Sequence, residues 1–331
     1  MKDQYNRKIE YLRVSVTDRC NLRCVYCMPK DGIKQVAHNQ ILTYDEIIRI
    51  CRICAGEGIS KIKLTGGEPL VRKNLSELLR RLKGLEGVEQ VTLTTNGVLL
   101  TEQIEDLAAA GLDAVNISLD TLDSSQYKAI TRRDELDKAL FGLKTVLKYP
   151  NISVKVNCVI LPGINETQWI PLAGLAAEKH VDVRFIEMMP IGLGKSYPGS
   201  SQQEVLEKLE EAYGKPEALS GRFGNGPAVY VGFPEFCGKV GFISAVSHQF
   251  CGECNRVRLT AEGFLKPCLQ YSTGEDLRKL LRDGAADKEL KDVIKKVIFE
   301  KPRCHRFSAA ENAEENTEDN LELKQMSSIG G

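Results

Sequence analysis

The chain has 331 residues and 42% apolar content, enough to bury one large core or a main domain with a smaller partner, so a peptide-scale scaffold is excluded. Its formal net charge of +0 argues against a non-specific polyanion or nucleic-acid binder and leaves any phosphate site to a few locally placed Lys and Arg. No apolar run approaches the roughly 18–20 residues a bilayer needs and the first ten lack an apolar signal core, so the expectation is a cytoplasmic protein with no membrane partner, whose cysteines serve metal or redox chemistry.

The first β-like stretch, residues 12–16, runs into Cys20-Asn21-Leu22-Arg23-Cys24-Val25-Tyr26-Cys27, which puts three thiols at CxxxCxxC spacing on a loop at a strand's C-terminal end. Apolar burial does not cluster thiols beside Asn21 and Arg23 on a turn, so metal chemistry is the better reading. An iron–sulfur cubane held by three cysteines keeps one iron free for a non-protein ligand. A closed zinc site with a fourth donor elsewhere is the competitor.

Further strands follow at 61–64, 90–95, 114–119, 153–160 and 181–186, with helical stretches between them. Thr43-Tyr44-Asp45-Glu46 reads as a capping box, and Asp123 with Gln126 resembles another. Cys51 and Cys54 fall on the apolar stripe of the first helix and read as small core residues. Cys158 should face the helices. His38, His180, His248 and His305 lack ligand spacing. This alternation predicts a parallel sheet covered by helices.

Buried parallel strands should be continuously apolar, yet these alternate. Arg13, Ser15 and Thr17 share one face, as do Lys61, Lys63 and Thr65, then Thr92, Thr94 and Asn96, then Asn116, Ser118 and Asp120, then Lys155 and Asn157. A polar inner face on five strands predicts a sheet curled around a solvated interior: an incomplete six-strand barrel of the TIM type, with its site at the strands' C-terminal ends.

A second set, Cys251-Gly252-Glu253-Cys254 with Cys268, again offers three thiols and one vacancy; a four-cysteine zinc ribbon would draw on Cys237 or Cys304. Arg256 and Arg258 point the same way if extended and suit a phosphate chain. Residues 308–324, acidic through Glu311, Glu314, Glu315, Glu318, Asp319 and Glu322, predict a flexible lead to the terminus.

On the first thiol triad and on Thr65-Gly66-Gly67-Glu68-Pro69, where glycines permit close backbone approach and Glu68 can accept from an ammonium, the chain resembles the radical S-adenosylmethionine superfamily. Residues 15–21, Arg184-Phe185-Ile186-Glu187, the second thiol set and the terminal Gly330-Gly331 resemble its GTP 3′,8-cyclase branch of molybdenum cofactor biosynthesis. The resemblance covers residues 9–307 and the last six.

It implies two 4Fe–4S clusters, on Cys20, Cys24 and Cys27 and on Cys251, Cys254 and Cys268. It implies S-adenosylmethionine lined by Tyr26, Gly67, Ser118 and Met189. GTP would be held by Arg13, Lys63, Thr94, Lys155, Arg256, Val257 and Arg258, with Lys61 and Arg184 as further cationic lining. Arg13, Arg256, Arg258, Gly330 and Gly331 are implied in catalysis, the tail threading back beside Arg13. In the family a 5′-deoxyadenosyl radical takes hydrogen from C3′ of GTP and the carbon radical attacks C8. Implied partners are a flavodoxin- or ferredoxin-type electron donor and the next enzyme, cyclic pyranopterin monophosphate synthase; a homodimer is compatible. Implied domains are a partial barrel over 1–235, an auxiliary-cluster extension over 236–307 that closes the open side, and a flexible tail over 308–331. Alternatives are another radical enzyme with an auxiliary cluster, or a zinc-stabilised binding module, against which neutral charge and the lack of an aromatic and basic platform weigh.

Overall fold

A computed structural model describes residues 1–34, 36–199, 201–221, 223–307 and 321–330. Six strands, β1 (Tyr11–Ser15), β2 (Lys61–Thr65), β3 (Gln90–Thr95), β4 (Ala114–Ser118), β5 (Ser153–Val159) and β6 (Asp182–Ile186), pair in parallel in chain order. Helices α1 (Tyr44–Gly56), α2 (Leu75–Lys83), α3 (Leu100–Ala109), α4 (Ser124–Thr131), α5 (Leu136–Val146) and α6 (Trp169–Glu178) alternate with them. Local chemistry sets the starts: Thr43 and Glu46 form the reciprocal capping box at α1. Asp123 caps α4 through Gln126 N, but the Gln126 side chain turns to Thr167.

Period-two alternation divides each strand. Leu12 and Val14, Ile62 and Leu64, Val91 and Leu93, and Val115 and Ile117 belong to the buried core under the helices. Cys51, Cys54 and Cys158 lie there too, packed as small apolar residues. The opposite face carries the polar residues and looks onto an interior cavity.

After α7 (Gln202–Tyr213), strands β7 (Glu217–Leu219), β8 (Val229–Gly232) and β9 (Val240–Ile243) extend the sheet beyond β6, with β9 parallel to it. Strand β10 (Arg256–Leu259) returns to the other edge, parallel to β1, followed by antiparallel β11 (Phe264–Lys266) and β12 (Glu275–Asp276). Helices α8 (Leu277–Arg282), α9 (Asp287–Phe299) and α10 (Met326–Ile329) complete the described elements. The order β12-β11-β10-β1-β2-β3-β4-β5-β6-β9-β8-β7 is open. The later strands therefore lengthen both edges of the partial barrel instead of bridging them, and loop and tail residues cover the mouth.

No helix among the described residues is long and apolar enough to cross a membrane.

Candidate active site

The loop after β1 places Cys20, Cys24 and Cys27 at one end of a cavity of about 540 Å³. Arg23 N donates to Thr131 O and Val25 N to Ile130 O, tying the loop to α4, while Cys27 N and Met28 N both donate to Cys24 O. Burial pushes the Cys20 thiol up to about 11 and Cys27 to about 12, and holds Cys24 well above the usual thiol range for the same reason. Such thiols give up their protons only to a bound cation, so this donor set fits a metal group. Among the described residues, no three Cys, His, Asp or Glu side chains converge on a point that could hold a single metal ion.

Next to the trio lies the turn after β2. A Cβ on Gly67 would stand 2.4 Å from Arg19 O, and one on Gly66 2.6 Å from Thr17 O. The glycine pair is thus required by the thiol loop's own backbone, which accepts from Gly67 N and Glu68 N at 2.7 Å each. Buried Glu68 accepts from Leu70 N, Thr95 Oγ1 and Asn96 N. Burial nevertheless pushes its carboxyl up to about 7. Tyr26, Gly67, Ser118 and Met189 line the cavity beside the trio. Tyr26 donates its hydroxyl to Asp120 at 2.6 Å, and burial holds the Asp120 carboxyl up at about 6.

Beyond this end the cavity wall is cationic. Arg13, Lys63, Lys155, Arg184, Arg256 and Arg258 all line it. Sheet register explains the grouping: Arg13 stands between Lys63 on β2 and Arg258 on β10, and Asn157 beside Arg184. Lys63, 6% exposed, is held well below the usual lysine range by burial and then by Arg184, Arg13, Lys155 and Arg256. Burial lowers Arg258 likewise, followed by the charges of Arg13 and Arg256. Packing cations together in a buried chamber makes sense only if an anion enters. Thr94 also lines it, with a buried hydroxyl that has no hydrogen-bond partner among the described residues. Lys155 is engaged by Asp182 at 2.5 Å and by Phe223 O at 2.7 Å.

One expected lining residue, Lys61, lies elsewhere, and one expected GTP contact, Val257, turns its side chain away. Val257 alternates with Arg256 and Arg258, so its side chain is in the core. Lys61 shares the Lys63 face, but at the strand's start it pairs with Glu10 at 2.6 Å, away from the cavity.

The second trio sits behind the cationic wall. Cys251 and Cys254 flank a short 3₁₀ turn before β10, and Cys268 follows β11. Their neighbours Phe250, Arg256 and Leu269 line the cavity, whereas the three thiols do not. Arg7, paired with Asp3, clamps the turn by donating to Cys251 O and Arg303 O. Burial raises the Cys254 thiol, but Lys301 and Arg256 outweigh it and bring it down to about 6. Cys304 stands near enough to Cys251 to raise it, as Cys254 and Cys268 do, and His305 N donates to the Cys251 sulfur at 3.4 Å. Cys237 is exposed, on the far side of the sheet next to α6.

The tail enters the chamber. Met326 and Ser327 line it, the Ser327 backbone comes close enough to Cys27 to lower its thiol against the effect of burial, and Arg258 donates to Gly330 O at 2.5 Å. Gly331 and residues 308–320, with most of the acidic run, lie outside the described residues. Glu322 departs from the expected flexible lead, being 7% exposed and paired with Lys266.

Three features escaped the sequence reading: the Asn96–Asn21 contact at 2.7 Å that steadies the thiol loop, the Asp120 acceptor for Tyr26, and the segment 223–227 that lines the cavity. Only the last carried a signal, its Gly-Asn-Gly-Pro run, and that indicates a turn without saying where it packs.

An α/β sheet with a cysteine-lined cavity at its strand ends is the framework of a radical enzyme, and the sequence agrees: this chain belongs to the radical SAM superfamily, which matches residues 14–176, with Molybdenum Cofactor Synthesis C matching residues 181–307. It is 46% identical to a GTP 3′,8-cyclase of Clostridium perfringens over 95% of this chain and 97% of that protein. To a GTP 3′,8-cyclase of Pelotomaculum thermopropionicum it is 43% identical over the full length of both. The fold is similar to a crystal structure of Streptococcus suis SuiB bound to precursor peptide SuiA, with TM-score 0.59 and 16% identity, covering 90% of this chain and 66% of that one.

Proposed function

We propose that this enzyme is a GTP 3′,8-cyclase acting in molybdenum cofactor biosynthesis, joining C3′ of the ribose to C8 of guanine within one nucleotide. The observation that carries this reading is the row Arg258, Arg13 and Lys63 in register across three strands, lining the same cavity as the first thiol trio. Full-length similarity to curated GTP 3′,8-cyclases supports it.

In this reading Cys20, Cys24 and Cys27 hold a 4Fe–4S cluster, which when bound supplies the electron that cleaves S-adenosylmethionine. Glu68 accepts from that molecule's ammonium, and Gly67, Tyr26, Ser118 and Met189 line its place. Cys251, Cys254 and Cys268 would hold a second cluster. Arg13, Lys63, Thr94, Lys155, Arg256 and Arg258 grip the nucleotide, Lys155 exchanging its bond to Asp182 for phosphate. Distant triphosphate contacts supply binding energy that fixes the ribose. Gly330, with no side chain, sits against Arg258 and helps exclude water. Residues 1–235 serve as the radical domain, 236–307 as the auxiliary-cluster domain and 308–331 as the tail. A small flavodoxin- or ferredoxin-type protein is the electron source, and a cyclic pyranopterin monophosphate synthase takes the product.

The test is anaerobic incubation with reductant, GTP and S-adenosylmethionine. The expected result is 5′-deoxyadenosine formed in step with GTP loss; deoxyadenosine without GTP consumption overturns the substrate assignment.

A further inference from the structure

Lys266 ends β11 directly opposite Arg258 on β10. Two cations facing each other across an antiparallel pair repel, and both are buried, Lys266 to 1% exposure and Arg258 to 9%. The tail supplies partners to both: Glu322 is the only carboxylate paired with Lys266 among the described residues, and Gly330 O accepts from Arg258 at 2.5 Å. The same cross-strand pair therefore holds both ends of segment 322–330.

Glu322 is built into this position. Leu321 bridges antiparallel to Tyr271, Glu322 N donates to Gln270 O at 2.7 Å, and Glu322 Oε1 accepts from Lys324 N at 2.8 Å. Farther on, Gln325 Oε1 accepts from Leu193 N at 3.1 Å before the chain turns into the cavity. A buried ammonium without its counter-ion is costly, so Lys266 favours the seated tail over the released one.

We propose that Lys266 and Glu322 are positioning residues, a buried ionic latch that docks the C-terminal segment and thereby delivers Gly330 to Arg258. The consequence for turnover rests on the reading of the tail as part of the GTP site; the latch itself does not.

The test uses reconstituted holoenzyme with Glu322→Gln, Lys266→Met and the charge-swapped pair Lys266→Glu/Glu322→Lys. Glu322→Gln changes only the tail and leaves the sheet intact. Hydrogen exchange at 321–330 should rise about tenfold or more in both single variants, with β1 and β10 unchanged, and return toward the parent rate in the swapped pair. The kcat for GTP should fall in the single variants while the KM for S-adenosylmethionine stays constant. Unchanged tail exchange in Glu322→Gln overturns the latch whatever the activity. Faster tail exchange in an enzyme that never consumes GTP supports the latch and refutes the GTP reading, so the two failures are distinguishable.

Discussion

Arg258 donates from Nη1 to the carbonyl oxygen of Gly330 at 2.5 Å, joining the strand that follows the second thiol pair to the end of the chain. Gly330 adopts φ +75°, and a Cβ there would stand 3.1 Å from Cβ of Ser15. Alanine in this conformation costs roughly 1–2 kcal/mol before any clash. Gly330→Ala should therefore lower turnover about tenfold while iron content stays unchanged. Residues appended after Gly331 should depress turnover as well. Both effects are read from product formation per chain, and full activity in either variant would remove the tail from the site.

Thr94 separates a ligand role from a structural one. Its buried hydroxyl has no partner among the described residues, so replacing it with the isosteric valine removes an unsatisfied group. Thr94→Val should raise stability by about 1 kcal/mol in thermal unfolding yet raise the KM for GTP several-fold. A variant that gains stability with an unchanged KM would mean that the hydroxyl meets no substrate.

The inner wall was legible because β-strand alternation is strict. Arg13, Lys63, Thr94 and Lys155 could be assigned to the inner face from spacing alone, Arg184 came from the resemblance, and all five line the cavity. The same rule excludes the Val257 side chain, which only the resemblance had placed with its arginine neighbours. Lys61 failed for a different reason: alternation gives the face but not the depth, and depth decides between Glu10 and the cavity. Glu322 was illegible because composition averages over a segment, whereas its burial depends on one lysine far away in sequence. The fate of the mouth also needed tertiary pairing, since nothing local says that β10 returns to β1.

Glu68 sets a pH dependence. Its carboxyl stands at about 7, raised by burial from 4.5, so the ionised form that accepts an ammonium is depleted below pH 7. Affinity for S-adenosylmethionine should fall about tenfold per pH unit below that point and level off above it. Stability moves with the opposite sign. The folded state holds this proton more tightly, so Glu68's contribution is fully present below about pH 4.5 and lost as pH rises through about 7. Anaerobic titration calorimetry of Glu68→Gln should give weaker, pH-independent binding; a surviving slope would assign the titration to another group.

Iron counting decides between three and four thiols at the second site. Cys304 stands close enough to Cys251 to affect it, so a closed four-cysteine zinc site is the specific rival to a three-cysteine cluster. The two make different demands. A tetrahedral zinc needs all four sulfurs at one ion, and losing any of them loosens it. A cubane on Cys251, Cys254 and Cys268 keeps its iron without Cys304. Anaerobically purified protein should contain about eight irons per chain. Replacing Cys251, Cys254 and Cys268 with alanine should lower this to about four, whereas Cys304→Ala should leave it at about eight. Zinc in place of iron would overturn the cluster, and loss of about four irons in Cys304→Ala would make Cys304 a required ligand.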